Sequence, residues 1–154
     1  MPFLDPLKSQ SEDPLVSFNF AIEVQDQVTG FFTEVSGLGS ETEVTEHKVM
    51  GPKGQQIVKQ VAGRLKWEQI VLKRGITANM DIWDWRKMVE DGQLEEARRN
   101  GSIVMYDQTG GEVARWNFER AWPSKVTGPQ PKADSGDIGI EEMTIVHEYV
   151  KRVK

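Results

Sequence analysis

From Val16 to Gln25 two sets of side chains alternate. Val16, Phe18, Phe20, Ile22 and Val24 fall on one side of an extended chain, and Ser17, Asn19, Ala21, Glu23 and Gln25 on the other. Strand side chains point to opposite faces in turn, so this period of two predicts a β-strand with one face against a core. Asp26 to Gly30 then predicts a turn, and Phe31 to Val35 a returning strand that Gly37 and Gly39 end.

The same logic runs on with different outcomes. Ser40 to Met50 has the β-formers Thr42, Val44, Thr45 and Val49, but Glu41, Glu43, Glu46, His47 and Lys48 put polar groups on both faces. Such a strand belongs at an edge, or along a channel or contact surface. Gly51 to Gly63 carries the glycines of a long loop, yet also Ile57, Val58 and Val61. Leu65 to Lys73 predicts a strand. Asn79 to Asp91 predicts a helix, with Thr77 or Asn79 as cap, Asp81 in the first turn, an apolar face of Ile82, Trp85, Met88 and Val89, and Gly92 as a left-handed terminator. A shorter helical turn follows through Leu94 to Arg98. Ser102 to Asp107 and Glu112 to Arg120 form a hairpin around Thr109-Gly110-Gly111. Residues 123–139, with three prolines and three glycines, predict an irregular connection, and Ile140 to Val150 a last strand. Roughly six or seven strands joined mostly by hairpins, with one main helix, make a mainly β fold: an antiparallel β-sandwich or barrel with one flanking α-helix.

Size and composition narrow the classes of function. A chain of 154 residues is one domain. Residues 1–15, with Pro2, Pro6 and Pro14 among polar groups, form an N-terminal arm expected to be flexible, ahead of a domain over 16–154. Nothing approaches the roughly 18 apolar residues of a membrane span, so no membrane insertion by the chain is expected. The first residues lack the apolar run of a signal peptide. The absence of cysteine removes disulfides, thiolate metal sites and a thiol nucleophile. A net charge of −5 argues against a groove for duplex nucleic acid.

Chemistry is hard to find. His47 and His147 lack partners at the spacing of a metal site or a triad. The glycines of 51–54 lack the Lys-Ser/Thr and the following helix of a phosphate loop. Asp81/Asp84 and Glu95/Glu96 fit helix starts and wet faces better than an acid–base pair. No catalytic residue, cofactor or metal site is expected, and the chain is not expected to be an enzyme. The five tryptophans, Trp67, Trp83, Trp85, Trp116 and Trp122, need a large core or interface. The strand pattern and the helix face assign Trp67, Trp85 and Trp116 to core faces. A small-ligand-binding β-barrel using the Trp-rich surface is the alternative.

Six fragments occur in a distinctive order: FNFAIEVQDQVTGFFTEVSGLG (18–39), LKWEQIVLKRG (65–75), MDIWDW (80–85), NGSIVMYDQTG (100–110), WNFERAWPSKVTGP (116–129) and IEEMTIVHEYV (140–150). Together they resemble the tail tube proteins of contractile-tailed phages and the inner-tube proteins of extracellular contractile injection systems, over roughly Phe18 to Val150. The resemblance implies an Hcp-like tail-tube fold and hexameric rings stacked into a hollow tube, made in the bacterial cytoplasm and built into a phage tail or injection particle. Implied partners are further copies of the chain, a sheath protein, baseplate or initiator tube proteins, a terminator or cap protein, and effector cargo or DNA in the lumen. By position, the family's ring-stacking loop falls on 51–64, making Ile57, Val58 and Val61 stacking candidates. Glu41, Glu43 and Glu46 are candidates for the lumen wall. Trp83 and Trp122 gain a second use near subunit contacts.

Overall fold

A computed structural model describes residues 19–25, 27–129 and 139–154. The expected arm over 1–15 lies outside the described residues, as do Val16, Phe18 and most of the connection expected over 123–139.

The described residues form ten strands and two helices: β1 (Asn19–Val24), β2 (Gln27–Phe32), β3 (Glu34–Ser36), β4 (Ser40–Met50), β5 (Gln56–Trp67), β6 (Ile70–Gly75), α1 (Asp81–Glu90), α2 (Leu94–Ala97), β7 (Arg99–Tyr106), β8 (Glu112–Thr127), β9 (Ile140–Val146) and β10 (Tyr149–Arg152). All pairing is antiparallel. The main sheet runs β2-β1-β7-β8-β9-β6-β3, with β10 also on β8; β4 and β5 pair only with each other.

β8 is the spine. Up to Ala121 it pairs with β7, and from Trp122 onward with β9. At Arg120 the backbone turns left-handed (φ 49°), which bends the strand from one layer into the other. Strand pairing continues through Pro123, where an irregular connection was expected. Proline is tolerated in a sheet at a bulge, and the register shifts between Pro123 and Lys125. The expected last strand likewise divides at His147-Glu148: β9 serves the second half of β8, and β10 the first half.

The layers enclose a core of Ile22, Phe32, Ile70, Leu72, Ile103, Phe118, Met143 and Ile145, onto which α1 lays Ile82 and Trp85. The two ends of the sheet path, β2 and β3, are consecutive in the chain. Thr33 between them donates its N–H (2.9 Å) and its hydroxyl (3.2 Å) to the Lys73 carbonyl on β6. The sheet is therefore an open sandwich rather than a barrel closed by one continuous ladder.

α1 starts two residues later and ends one residue earlier than its sequence signals placed it, and neither expected cap holds its start: the N-cap is Met80, with no side-chain cap bond, while Thr77 and Asn79 order the turn before it. Asn79 Oδ1 accepts the Asp81 N–H (2.8 Å), and Thr77 Oγ1 accepts the Asn79 N–H (3.1 Å). At the other end Gly92 (φ 82°) sends its N–H to Val89 O, and Gln93 sends its own to Met88 O, the two bonds of a Schellman motif.

Candidate functional site: the projecting hairpin

Residues 51–64 do not form the expected long loop. Only Gly51 to Gln55 turn the chain; Gln56 to Trp67 is a strand paired along β4 from Met50↔Gln56 to Ser40↔Trp67. Twelve residues at about 3.3 Å each make a hairpin of about 40 Å. Nearly every residue of both strands is exposed, since no third strand or helix covers either face. The expected strand Leu65–Lys73 is accordingly two elements. Leu65 to Trp67 ends the hairpin, Glu68-Gln69 breaks it, and β6 enters the core.

The register sorts the candidate residues. Opposed residues share a face, so Val49, Ile57, Thr45 and Val61 lie on one side, with Glu41 opposite Lys66 and His47 opposite Lys59. The other side has Val44 opposite Ala62, Thr42 opposite Leu65, Lys48 opposite Val58 and Glu46 opposite Gln60, whose amide donates to Glu46 Oε1 (3.2 Å). Ile57 and Val61 thus share a face that Val58 does not. Glu41 and Glu43 lie on the side opposite Glu46. Gly63 and Arg64 form a bulge beside Glu43, three β5 steps there matching two on β4.

Three physical properties mark this hairpin. Its exposed apolar groups, Val44, Met50, Ile57, Val58, Val61 and Leu65, cover both faces. Each strand also has one unpaired backbone edge. An isolated two-stranded hairpin is marginal in water, and free edges invite pairing with another chain. The hairpin is also basic: Lys48, Lys53, Lys59, Arg64 and Lys66 against Glu41, Glu43 and Glu46 give +2, leaving −7 on the remainder of a chain of −5. From His47 to Trp67 there is no acid.

The tryptophans divide. Trp85 is buried and donates its indole N–H to Ala97 O (2.7 Å), tying α1 to α2. Trp67 and Trp116, expected in the core, are only half-buried against it. Trp67 meets Tyr149 edge-on at 5.4 Å, and Arg152 lies 5.5 Å over Trp116. Trp122 also packs half-buried on the core. Trp83 donates to Glu141 Oε1 (2.9 Å). That carboxylate belongs to a buried group invisible to hydropathy. Arg74 Nε bonds Glu141 Oε2 at 3.0 Å, Arg74 Nη2 bonds Asn79 O at 3.1 Å, and the guanidinium lies 5.1 Å over the Phe32 ring. The pair links β6, β9, α1 and β2. Its sequence signal is parity: Arg74 continues the inward series Ile70, Leu72, and Glu141 starts the inward series Met143, Ile145. Four of the quoted fragments, those at 18–39, 65–75, 80–85 and 140–150, converge at this ion pair.

Among the described residues, no three or more histidines, acids or cysteines gather as a metal site. No helix there is long and apolar enough to cross a membrane. A cavity of about 320 Å³ is lined by Trp85 with Asp81, Asp84, Met88 and Arg99. Trp83 turns away from it toward β9.

The family model for T4-like virus tail tube protein gp19 matches residues 16–151. The chain belongs to the tail tube protein family. Solved structures show the same fold. A chain of the PVC sheath–tube complex of an extracellular contractile injection system in its extended state has a TM-score of 0.76 at 23% identity, covering 97% of this chain and 98% of that one. The tube terminating cap of the anti-feeding prophage gives 0.72 at 21%, covering 92% and 91%. Hcp1 of Flavobacterium johnsoniae gives 0.52 at 12%, covering 87% and 94%. No individually curated protein matches the chain in sequence. The tail tube protein thus has the Hcp-like fold, with a projecting hairpin that single-strand patterning hid.

Proposed function

We propose that this tail tube protein is the structural subunit of the inner tube of a contractile injection system or phage tail. It forms hexameric rings that stack into a hollow tube. A separate sheath drives that tube through a target envelope, and cargo passes along its lumen. The observation that carries this reading is the hairpin, basic, apolar on both faces and open on both edges. An element this costly to leave in water has a use when neighbouring copies cover it. Membership of the tube family supports stacking with further copies, and the sheath, baseplate and cap settings of the structural relatives support those partners.

Within this reading Ile57, Val58 and Val61 bury against adjacent subunits. Of the three lumen candidates, Glu41 and Glu43 belong to one surface of the hairpin and Glu46 to the other, so a single wall takes at most one of these sets. The subunit is made in the cytoplasm and works in the assembled particle. Rings or tubes of the purified protein in negative-stain microscopy test the proposal. A strictly monomeric protein at high concentration would sink it. Val58→Asp is expected to leave the sandwich folded, by circular dichroism, while sharply reducing tubes; normal tubes would take Val58 out of the contact.

A further inference from the structure

The hairpin joins the sandwich through two short connections, residues 37–39 and 68–69. Gly37 is left-handed (φ 84°), and a side chain there would collide with the Gln69 carbonyl. Glu68 N–H donates to Gly39 O at 3.1 Å. Beyond these backbone contacts, the root leans on residues 147–149, the interruption between β9 and β10. His147 Nε2 lies 3.0 Å from Glu68 O. Its ring is 5.8 Å from that of Trp67, which in turn meets Tyr149.

A carbonyl only accepts, so Nε2 carries the proton and Nδ1 of the neutral ring is the bare nitrogen. Nδ1 is buried and has no hydrogen-bond partner. Protonating it would place a charge in a buried spot that nearby backbone groups satisfy only in part. Burial accordingly pushes the His147 pKa down, against a weaker opposite pull from the Glu68 and Tyr149 backbones. Nearby charges are occupied elsewhere. Glu148 pairs with Arg120 (3.1 Å), the Glu68 carboxylate lies on the Gly39 side of the root, and Glu119 stands opposite Tyr149 on β8.

We propose that His147 is a proton-sensitive latch on the hairpin root. Neutral, it holds Trp67 and Glu68 against the β9–β10 break. Protonated, it leaves that pocket, and the hairpin swings about Gly37–Gly39. With the pKa depressed in the closed state, the open state binds more protons, so closure is complete above the ordinary histidine pKa of about 6.5 and weakens as pH falls below it. The effect on tubes rests on the assembly role proposed above; the latch itself does not.

The chain has no cysteine, so Lys53→Cys at the hairpin tip and Thr109→Cys on the β7–β8 turn give a clean pair for spin labels. Pulsed electron resonance on the monomer is expected to show one narrow distance distribution at about pH 7.5 and a broad one at about pH 5. His147→Gln can still donate to the Glu68 carbonyl but does not titrate, and is expected to stay narrow at both. An unchanged wild-type distribution, or equal broadening in His147→Gln, would overturn the latch. Nitrogen NMR of His147 in a His47→Gln background needs no change at the latch: Nδ1 is expected bare at neutral pH and to take its proton below the ordinary histidine range, and a proton on Nδ1 at neutral pH would also overturn it. Sedimentation then reads assembly, with loss of wild-type tubes in acid and none in His147→Gln. Acid opening without tubes under any condition keeps the latch and sinks the assembly role; tubes with immobile distances sink the latch alone.

Discussion

Trp85 shows how one side chain joins two sequence signals. Its place on the apolar face of α1 was legible from spacing; its hydrogen bond to Ala97 was not, because α2 has only one turn. Trp85→Ala is expected to cost about 3–5 kcal/mol in chemical denaturation, and a near-native melting curve would move it out of the core. Arg74 and Glu141 were legible only as misplaced charges on inward positions, since hydropathy says nothing of pairing. Arg74→Met strands a buried carboxylate and is expected to cost about 3–5 kcal/mol, whereas Arg74→Met with Glu141→Leu is expected to lose clearly less than the two single changes together. A denaturation cycle with additive losses would show that the pair does not act as a unit. Asn100 has a quieter role: its carbonyl accepts from Gln25 and its side chain from Arg120, the two left-handed non-glycine residues among those described.

At the scale of elements, legibility tracked the environment. β1 buries Ile22 and Val24 on one face, with only the small Ala21 buried on the other, and α1 buries one face, so their periods of two and about 3.6 were plain in the chain. β5 buries neither face, so Gln56, Lys59, Gln60, Arg64 and Lys66 mix with Ile57, Val58 and Val61 in no period at all, and Gly63, with Gly51 and Gly54 of the turn before it, pointed to a loop. β8 runs past its expected end at Arg120 because the strand absorbs Pro123 at a bulge, where the Pro123 carbonyl accepts from Arg86 (3.1 Å). The hairpin root is where backbone geometry matters most. Gly37→Ala meets both a left-handed φ and a carbonyl in contact, so it is expected to lower the melting temperature or misalign the hairpin. Unchanged melting and normal tubes would mean the root tolerates a different path.

Over the whole molecule, charge is divided between a basic hairpin and an acidic body, +2 against −7. Contacts that set one against the other in an assembly weaken as the screening length falls from about 10 Å at 0.1 M salt to about 3 Å at 1 M. Tube yield in sedimentation is therefore expected to fall with salt, and a yield that rises would assign stacking to apolar burial alone. Fold class and family were both readable, because many short strands and an ordered set of fragments survive wide sequence change. The hairpin's isolation was not, because only three-dimensional placement shows that nothing covers it. One mechanical consequence remains in Thr33. A sheet is normally undone by peeling an outer strand, one hydrogen bond at a time. Here the first and last strands of the path are one stretch of chain, pinned by Thr33 to Lys73, so that margin offers no loose end. A load across it meets the β1–β2 and β3–β6 ladders together, whereas β10 pairs with β8 alone and is the margin left to unzip.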